Sequence, residues 1–180
     1  YFTDNAFSHF SGQIQRFIGS SIKKELEKSG ISSNFMGYTK DRKAQLSNVE
    51  VLKKNLIENQ SEILFCIGKK EAWVASTVAI HNPFEFQKRD IYKPNQRKIF
   101  GMPPRLARIM VNLSGCNEGK ILLDSFCGVG TILQEALLEG AMVVGVDVNS
   151  WCVKAAEENL DWLAVEYNLS AADYRVVQGD

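Results

Sequence analysis

From Ile121 onward the sequence alternates apolar runs too short for helices with segments of helical spacing: ILLDSF, TILQEALLEG, AMVVGVDV, SWCVKAAEENLDWLAVEY and YRVVQGD. The joining turns are short. Strands linked through intervening helices run parallel, since parallel pairing needs a long crossover, and parallel strands covered on both faces read as near-continuous Val/Ile/Leu runs. The expected fold class is therefore α/β, a Rossmann-like doubly wound parallel sheet with right-handed crossovers.

The upstream sequence has a different texture. GQIQRFIGSSIKKELEKS (12–29) puts Ile14, Phe17, Ile18, Ile22 and Leu26 on one helical stripe and stops at Gly30. SNFMGYT (33–39) suits a short strand, Ser47 or Asn48 caps a second helix in VEVLKKNLIEN, and SEILFCIGKKEAWVASTVAI (61–80) reads as a β-hairpin around Gly68, Lys69 and Lys70. Residues 1–83 are thus expected to form a small α+β module. HNPFEFQKRDIYKPNQRKIFGMPP (81–104) gathers prolines and basic residues without periodicity, which assigns 84–104 as a basic linker. Residues 105–180 form the α/β part, entered through a helix in RLARIMVNLSG with Leu106, Ile109, Met110 and Leu113 facing inward.

Acidic and basic side chains balance at 21 each, so any site for a polyanion must be a local patch. The four cysteines, Cys66, Cys116, Cys127 and Cys152, show no CxxC spacing and no nearby histidine. That pattern disfavours zinc, and no metal site is expected. It suits a reducing, cytoplasmic setting. No apolar run approaches the length of a membrane span. The chain opens on Tyr1 and stops just after a strand, which raises the expectation of a piece of a longer protein.

The turn in DSFCGVGTIL is where a ligand would be held, and three ligands compete for it. A P-loop requires GxxxxGK[ST], whose lysine is missing. A dinucleotide fingerprint requires GxGxxG directly off the strand, but Leu133 occupies the third glycine position and four residues, Asp124 to Cys127, precede the first. S-adenosylmethionine (SAM) has an ammonium, a sulfonium, a carboxylate and an adenosine, and no pyrophosphate. Asp124 ends the first strand, where it could face the ammonium or sulfonium; Gly128 and Gly130 let the backbone come close, and amides around Thr131 could attract the carboxylate. Asp147 ends the second strand, where a carboxylate can accept from ribose hydroxyls, and Asp180 ends the third, where it could accept from the adenine amine. Either of the first two acids alone could simply cap the following helix. Three acids at consecutive strand ends describe one site.

The stretch LLDSFCGVGTILQEALLEGAMVVGVDVN resembles the cofactor half of class I SAM-dependent methyltransferases. DSFCGVGTILQEA is similar, more narrowly, to the DPFCGSGTILIEA form of RNA methylases that carry a THUMP domain, with Ser125 in place of the usual proline. IFGMPPRLARIMVNLSG (99–115) resembles the segment before the SAM loop in the tRNA guanosine N2-methyltransferases that act at position 10. The resemblance implies SAM as cofactor, tRNA as partner, and Asp124, Phe126, Gly128, Gly130, Thr131, Asp147 and Asp180 as SAM contacts. Met102 and Pro103 would line the methionine end. It leaves open whether a small activating subunit is needed, as it is for the eukaryotic relative, and compares the front module with the later part of a THUMP domain or an inter-domain element.

Such enzymes bind the acceptor through a D/N-P-P-Y/F/W tetrad after the fourth strand, and residues 1–180 contain none. No catalytic residue is therefore assigned in this chain, and residues 1–180 alone are expected not to transfer a methyl group. An adenine N6-methylase of DNA or RNA is the alternative enzyme, and a non-catalytic SAM or RNA binding module the alternative of another class. The run from Lys88 to Lys98 is either a solvated linker or a phosphate track, with Lys93, Arg97 and Lys98 as the RNA-binding candidates. Cys127 has no base near it in sequence and is read as a small packing residue of the turn.

Overall fold

The computed structural model describes residues 5–36, 46–68, 71–97 and 99–180, and divides into two units, Tyr1–Asn82 and Pro83–Asp180. In the first unit α1 spans Asn5–Lys28 and α2 spans Asn48–Lys53. Ser47 caps α2 by accepting from the Glu50 amide while the Glu50 carboxylate accepts from the Ser47 amide, a reciprocal capping box. The helix is shorter than its apolar pattern suggests, because Asn55 turns the chain into the left-handed region at φ +50°. β1 (Ile63–Ile67) pairs antiparallel with β2 (Ala72–Ser76) as the expected hairpin, and Lys69 and Lys70 lie outside the described residues. The strand expected over 33–39 does not form over 33–36, and its remainder lies outside the described residues. On α1, Phe17 is exposed rather than inward, and Ile14, Ile18 and Leu26 are only half-buried.

The second unit begins with a correction. Residues assigned to a linker form α3 (Pro83–Ile91), followed by α4 (Pro104–Ser114). Pro83 stands at the first position of α3, where its missing N–H costs nothing and its φ suits a helix. On α4 the inward face also differs from expectation. Pro104, Ala107 and Val111 are buried, whereas Leu106, Ile109, Met110 and Leu113 are exposed. Small side chains at i, i+3 and i+7 let α4 approach its neighbour closely, and that neighbour is α5 (Thr131–Leu137).

β3 (Ile121–Asp124), β4 (Met142–Asp147) and β5 (Tyr174–Gln178) form a parallel sheet in the order β3-β4-β5, with α5 and α6 (Ser150–Tyr167) as the crossovers. This is the Rossmann-like α/β arrangement expected from the alternation. Leu133, Ala136 and Leu137 of α5 and Ala156, Leu160 and Leu163 of α6 close over Val143 and Val176 to make the core. Gly145 matters to that closure: a Cβ there would stand 2.5 Å from Leu133 Cδ1 and 3.1 Å from Cys127 Sγ. Among the described residues the opposite face of the sheet is uncovered, with Ile121 66% and Leu123 63% exposed, and β3 pairs on one side only.

Candidate SAM site at the glycine turn

Register puts Asp124 of β3 opposite Gly145, with Asp147 two residues further along β4. Between the two acids the chain folds as a tight turn. Cys127 N donates to Val146 O at 2.9 Å and Gly130 N to Cys127 O at 2.8 Å. Gly128 (φ +53°) and Gly130 (φ +79°) hold the left-handed conformations the turn requires. A Cβ on Gly130 would also come within 3.2 Å of Ala156 Cβ, so the turn lies directly on α6.

Asp147 locks the turn to β4. Its Oδ2 accepts from Gly128 N at 2.9 Å and its Oδ1 from Asn149 N at 2.9 Å. Each oxygen retains a lone pair, so the carboxylate can serve the turn and still accept from a ligand hydroxyl. Asp124 Oδ1 accepts from Phe126 N at 3.1 Å. Burial pushes the Asp124 carboxyl above its ordinary range and the charge of Asp147 pushes it further, against the opposing effect of the Phe126 amide. A half-buried carboxylate held beside a second negative charge makes a site that a cationic ligand would relieve. Among the described residues no group of three or more His, Cys, Asp or Glu side chains could hold a metal ion.

Other expected contacts are distributed less evenly. Gly179 N donates to Asp147 O at 3.2 Å, which brings Asp180, exposed, beside the end of β4. The Phe126 ring is 89% exposed, so what it gives the site is its backbone amide. Thr131 turns inward: it is 5% exposed, and its hydroxyl accepts from Lys93 Nζ at 3.1 Å. Met102 and Pro103 lead into α4, where the Pro103 carbonyl accepts from Leu106 and Ala107, and no hydrogen bond joins them to the turn. The Cys127 thiol is buried and pushed up to about 12, by desolvation first and then by Asp124 and Asp147. A thiol in that setting is not a nucleophile at neutral pH.

The basic run requires the main correction. Lys93, expected on a surface track, is 6% exposed and bonded to Thr131. Lys88 pairs with Glu166 of α6, and Arg89 donates to Glu135 through Nε at 2.6 Å and Nη2 at 3.3 Å. Arg108 of α4 reaches the same carboxylate at 2.8 Å. Glu135 is wholly buried, so the charges of this run are spent mainly on α5 and α6. Arg97 stays exposed, with its guanidinium over the Phe100 ring at 5.6 Å, and Lys98 lies outside the described residues. Sequence reasoning missed Glu135, Asn159 and Gly145; a carboxylate on the apolar face of TILQEAL was the available signal for the first.

Leu133 decides against a dinucleotide in a physical way. The third glycine of that fingerprint exists to let helix and strand approach. Here the helix carries a fully buried leucine and the strand supplies the glycine, Gly145. Residues 94–178 match the model of the RMKL-like methyltransferase domain. That match takes in just under half of the chain. The chain is 42% identical over 91 residues to the tRNA (guanine(10)-N2)-dimethyltransferase of Methanothermobacter thermautotrophicus, covering 49% of this chain and 25% of that protein. It is 33% identical over 129 residues to the Pyrococcus abyssi enzyme of the same name, covering 72% of this chain and 36% of the other. The chain thus spans about a quarter to a third of the length of these relatives. Among solved structures it is similar to an RNA methyltransferase from Salinibacter ruber in complex with S-adenosyl-L-homocysteine, at 28% identity and a TM-score of 0.41, covering 45% of this chain and 50% of that one.

Proposed function

We propose that this chain carries the donor-binding half of a SAM-dependent tRNA methyltransferase that modifies the exocyclic N2 amine of guanine. The observation that carries the reading is the pair Asp124 and Asp147 at the ends of adjacent parallel strands, bracketing a turn that holds two left-handed glycines. The identity to enzymes named for methylation of guanine 10 in tRNA supports the acceptor.

The residues present fit the cofactor. Asp124 would face its ammonium and sulfonium charge, Asp147 would accept from its ribose hydroxyls with the lone pairs left free by Gly128 and Asn149, and Asp180 would accept from its adenine amine. When bound, SAM supplies an electrophilic methyl group on a good leaving group. The chain's own work is to fix the position of that methyl, because holding donor and acceptor in a reactive orientation removes a large share of the barrier to such a displacement. Substrate RNA would meet the remaining exposed cations, of which Arg97 is one.

Titration calorimetry of the full-length protein with S-adenosylhomocysteine (SAH) and with NAD tests the reading. SAH is expected to bind and NAD not, and Asp147→Ala should abolish binding of SAH. Binding of NAD, or SAH affinity unaffected by Asp147→Ala, would refute it.

A further inference from the structure

Two buried polar side chains of the second unit, Lys93 and Asn159, touch neither carboxylate of the site, yet both reach its turn. Asn159 of α6 is wholly buried. Its Oδ1 accepts from Asn95 N at 2.8 Å while its Nδ2 donates to Asn95 O at 3.0 Å, so one side-chain amide pairs with one backbone residue as a neighbouring strand would. The same Nδ2 donates to Val129 O at 2.9 Å, the carbonyl lying between the two glycines of the turn. Two residues before Asn95, Lys93 Nζ donates to Thr131 Oγ1 at 3.1 Å. Residues 93–95 are therefore tied to residues 129–131 twice, once directly and once through Asn159. Pro94 stands between the ties with its φ fixed by its ring.

We propose that Lys93 and Asn159 are positioning residues for the methyl donor, setting its affinity by holding the Val129–Thr131 half of the turn from inside the protein. The inference rests on the donor-site reading above. Asp147 secures the other half through Gly128 N, and on the Val129–Thr131 half Lys93 and Asn159 make the shorter side-chain ties, beside a 3.5 Å contact from Gln134 Nε2 to Val129 O. A buried ammonium given one neutral hydroxyl is costly to keep: desolvation lowers the Lys93 pKa, with only partial opposition from Asp90 and Glu135. A side chain retained for stability alone would not look like this, because an apolar isostere would serve better.

That asymmetry gives a test with two readouts, run on the full-length protein. Lys93→Met keeps an unbranched side chain, one heavy atom shorter, and removes the charge. It is expected to unfold at equal or higher denaturant while binding SAH about tenfold more weakly, the effect of about one lost buried hydrogen bond. In turnover, the KM for SAM should rise by a similar factor with kcat at saturating SAM within about twofold, the signature of lost ground-state positioning. Asn159→Asp keeps the acceptor for Asn95 N and deletes the donor to Val129 O, and should weaken SAH binding in the same way. If Asn159→Asp does not fold, Lys93→Met together with Thr131→Val, in a double-mutant cycle, carries the test alone. SAH affinity unchanged in folded Lys93→Met overturns the proposal. Absence of SAH binding by the unsubstituted protein would instead overturn the donor-site reading.

Discussion

Glu135→Gln is the perturbation whose consequence the structure fixes most tightly. Glu135 Oε1 accepts from Arg89 Nε at 2.6 Å, and its Oε2 from Arg108 Nε at 2.8 Å and Arg89 Nη2 at 3.3 Å, with the side chains of Glu135 and Arg89 1% and 5% exposed. Glutamine has almost the same volume, but it presents an NH2 to one guanidinium and removes the shared negative charge from both. Breaking a buried ion pair by removing one partner costs about 3–5 kcal/mol. Arg89 would keep Glu85 at 3.6 Å and the Tyr167 hydroxyl at 3.3 Å, and Arg108 would keep Glu139. Those residual contacts place the loss near the lower end, about 3 kcal/mol. In urea titrations with a slope of roughly 1–3 kcal/mol per molar, the midpoint of the second unit should fall by about 1 M or more. The double variant Arg89→Met/Glu135→Leu should recover much of the loss, because an apolar pair in place of a buried ion pair is often neutral or better. A midpoint for Glu135→Gln within about 0.2 M of the unsubstituted protein would show that the triad is solvated in solution, and the reasoning would fail.

Two further outcomes follow from the turn. With its thiol at about 12 and buried, Cys127 should resist alkylation in the native protein at pH 8 while exposed Cys66 reacts, as mass spectrometry of peptides would read out; rapid labelling of Cys127 would contradict the packing. Gly145→Ala forces a methyl group to within 2.5 Å of Leu133 Cδ1 and should destabilise by about 1–3 kcal/mol, relieved in part by Leu133→Val; a neutral effect in denaturation would show that α5 is free to shift.

The sheet and its crossovers were legible because short continuous apolar runs alternate with segments of helical spacing from Ile121 onward, and because three acids recur at strand ends. The glycine turn was legible for the same reason. What stayed hidden depended on packing. Apolar count favours Leu106, Ile109, Met110 and Leu113 as the inward face of α4, but close approach to α5 selects Pro104, Ala107 and Val111. The run of Lys and Arg looked like a solvated or phosphate-facing surface, since nothing local in sequence reveals that Glu135 and Glu166, dozens of residues away, are its counter-charges. Lys93 illustrates the same limit: its partner is a hydroxyl 38 residues later, on a helix it meets only after folding. Prolines were read as breakers, although at the start of α3 a proline belongs to the helix.

The one-sided pairing of β3 has a consequence for handling the molecule. Among the described residues, the four of β3 leave one edge of backbone N–H and C=O unpaired, with Ile121 and Leu123 exposed, a template on which another copy's strand could grow the sheet. The 180-residue polypeptide prepared alone is therefore expected to associate as its concentration rises, and light scattering on dilution would register the sheet edge as an adhesive before any assay registered the turn as a binding site.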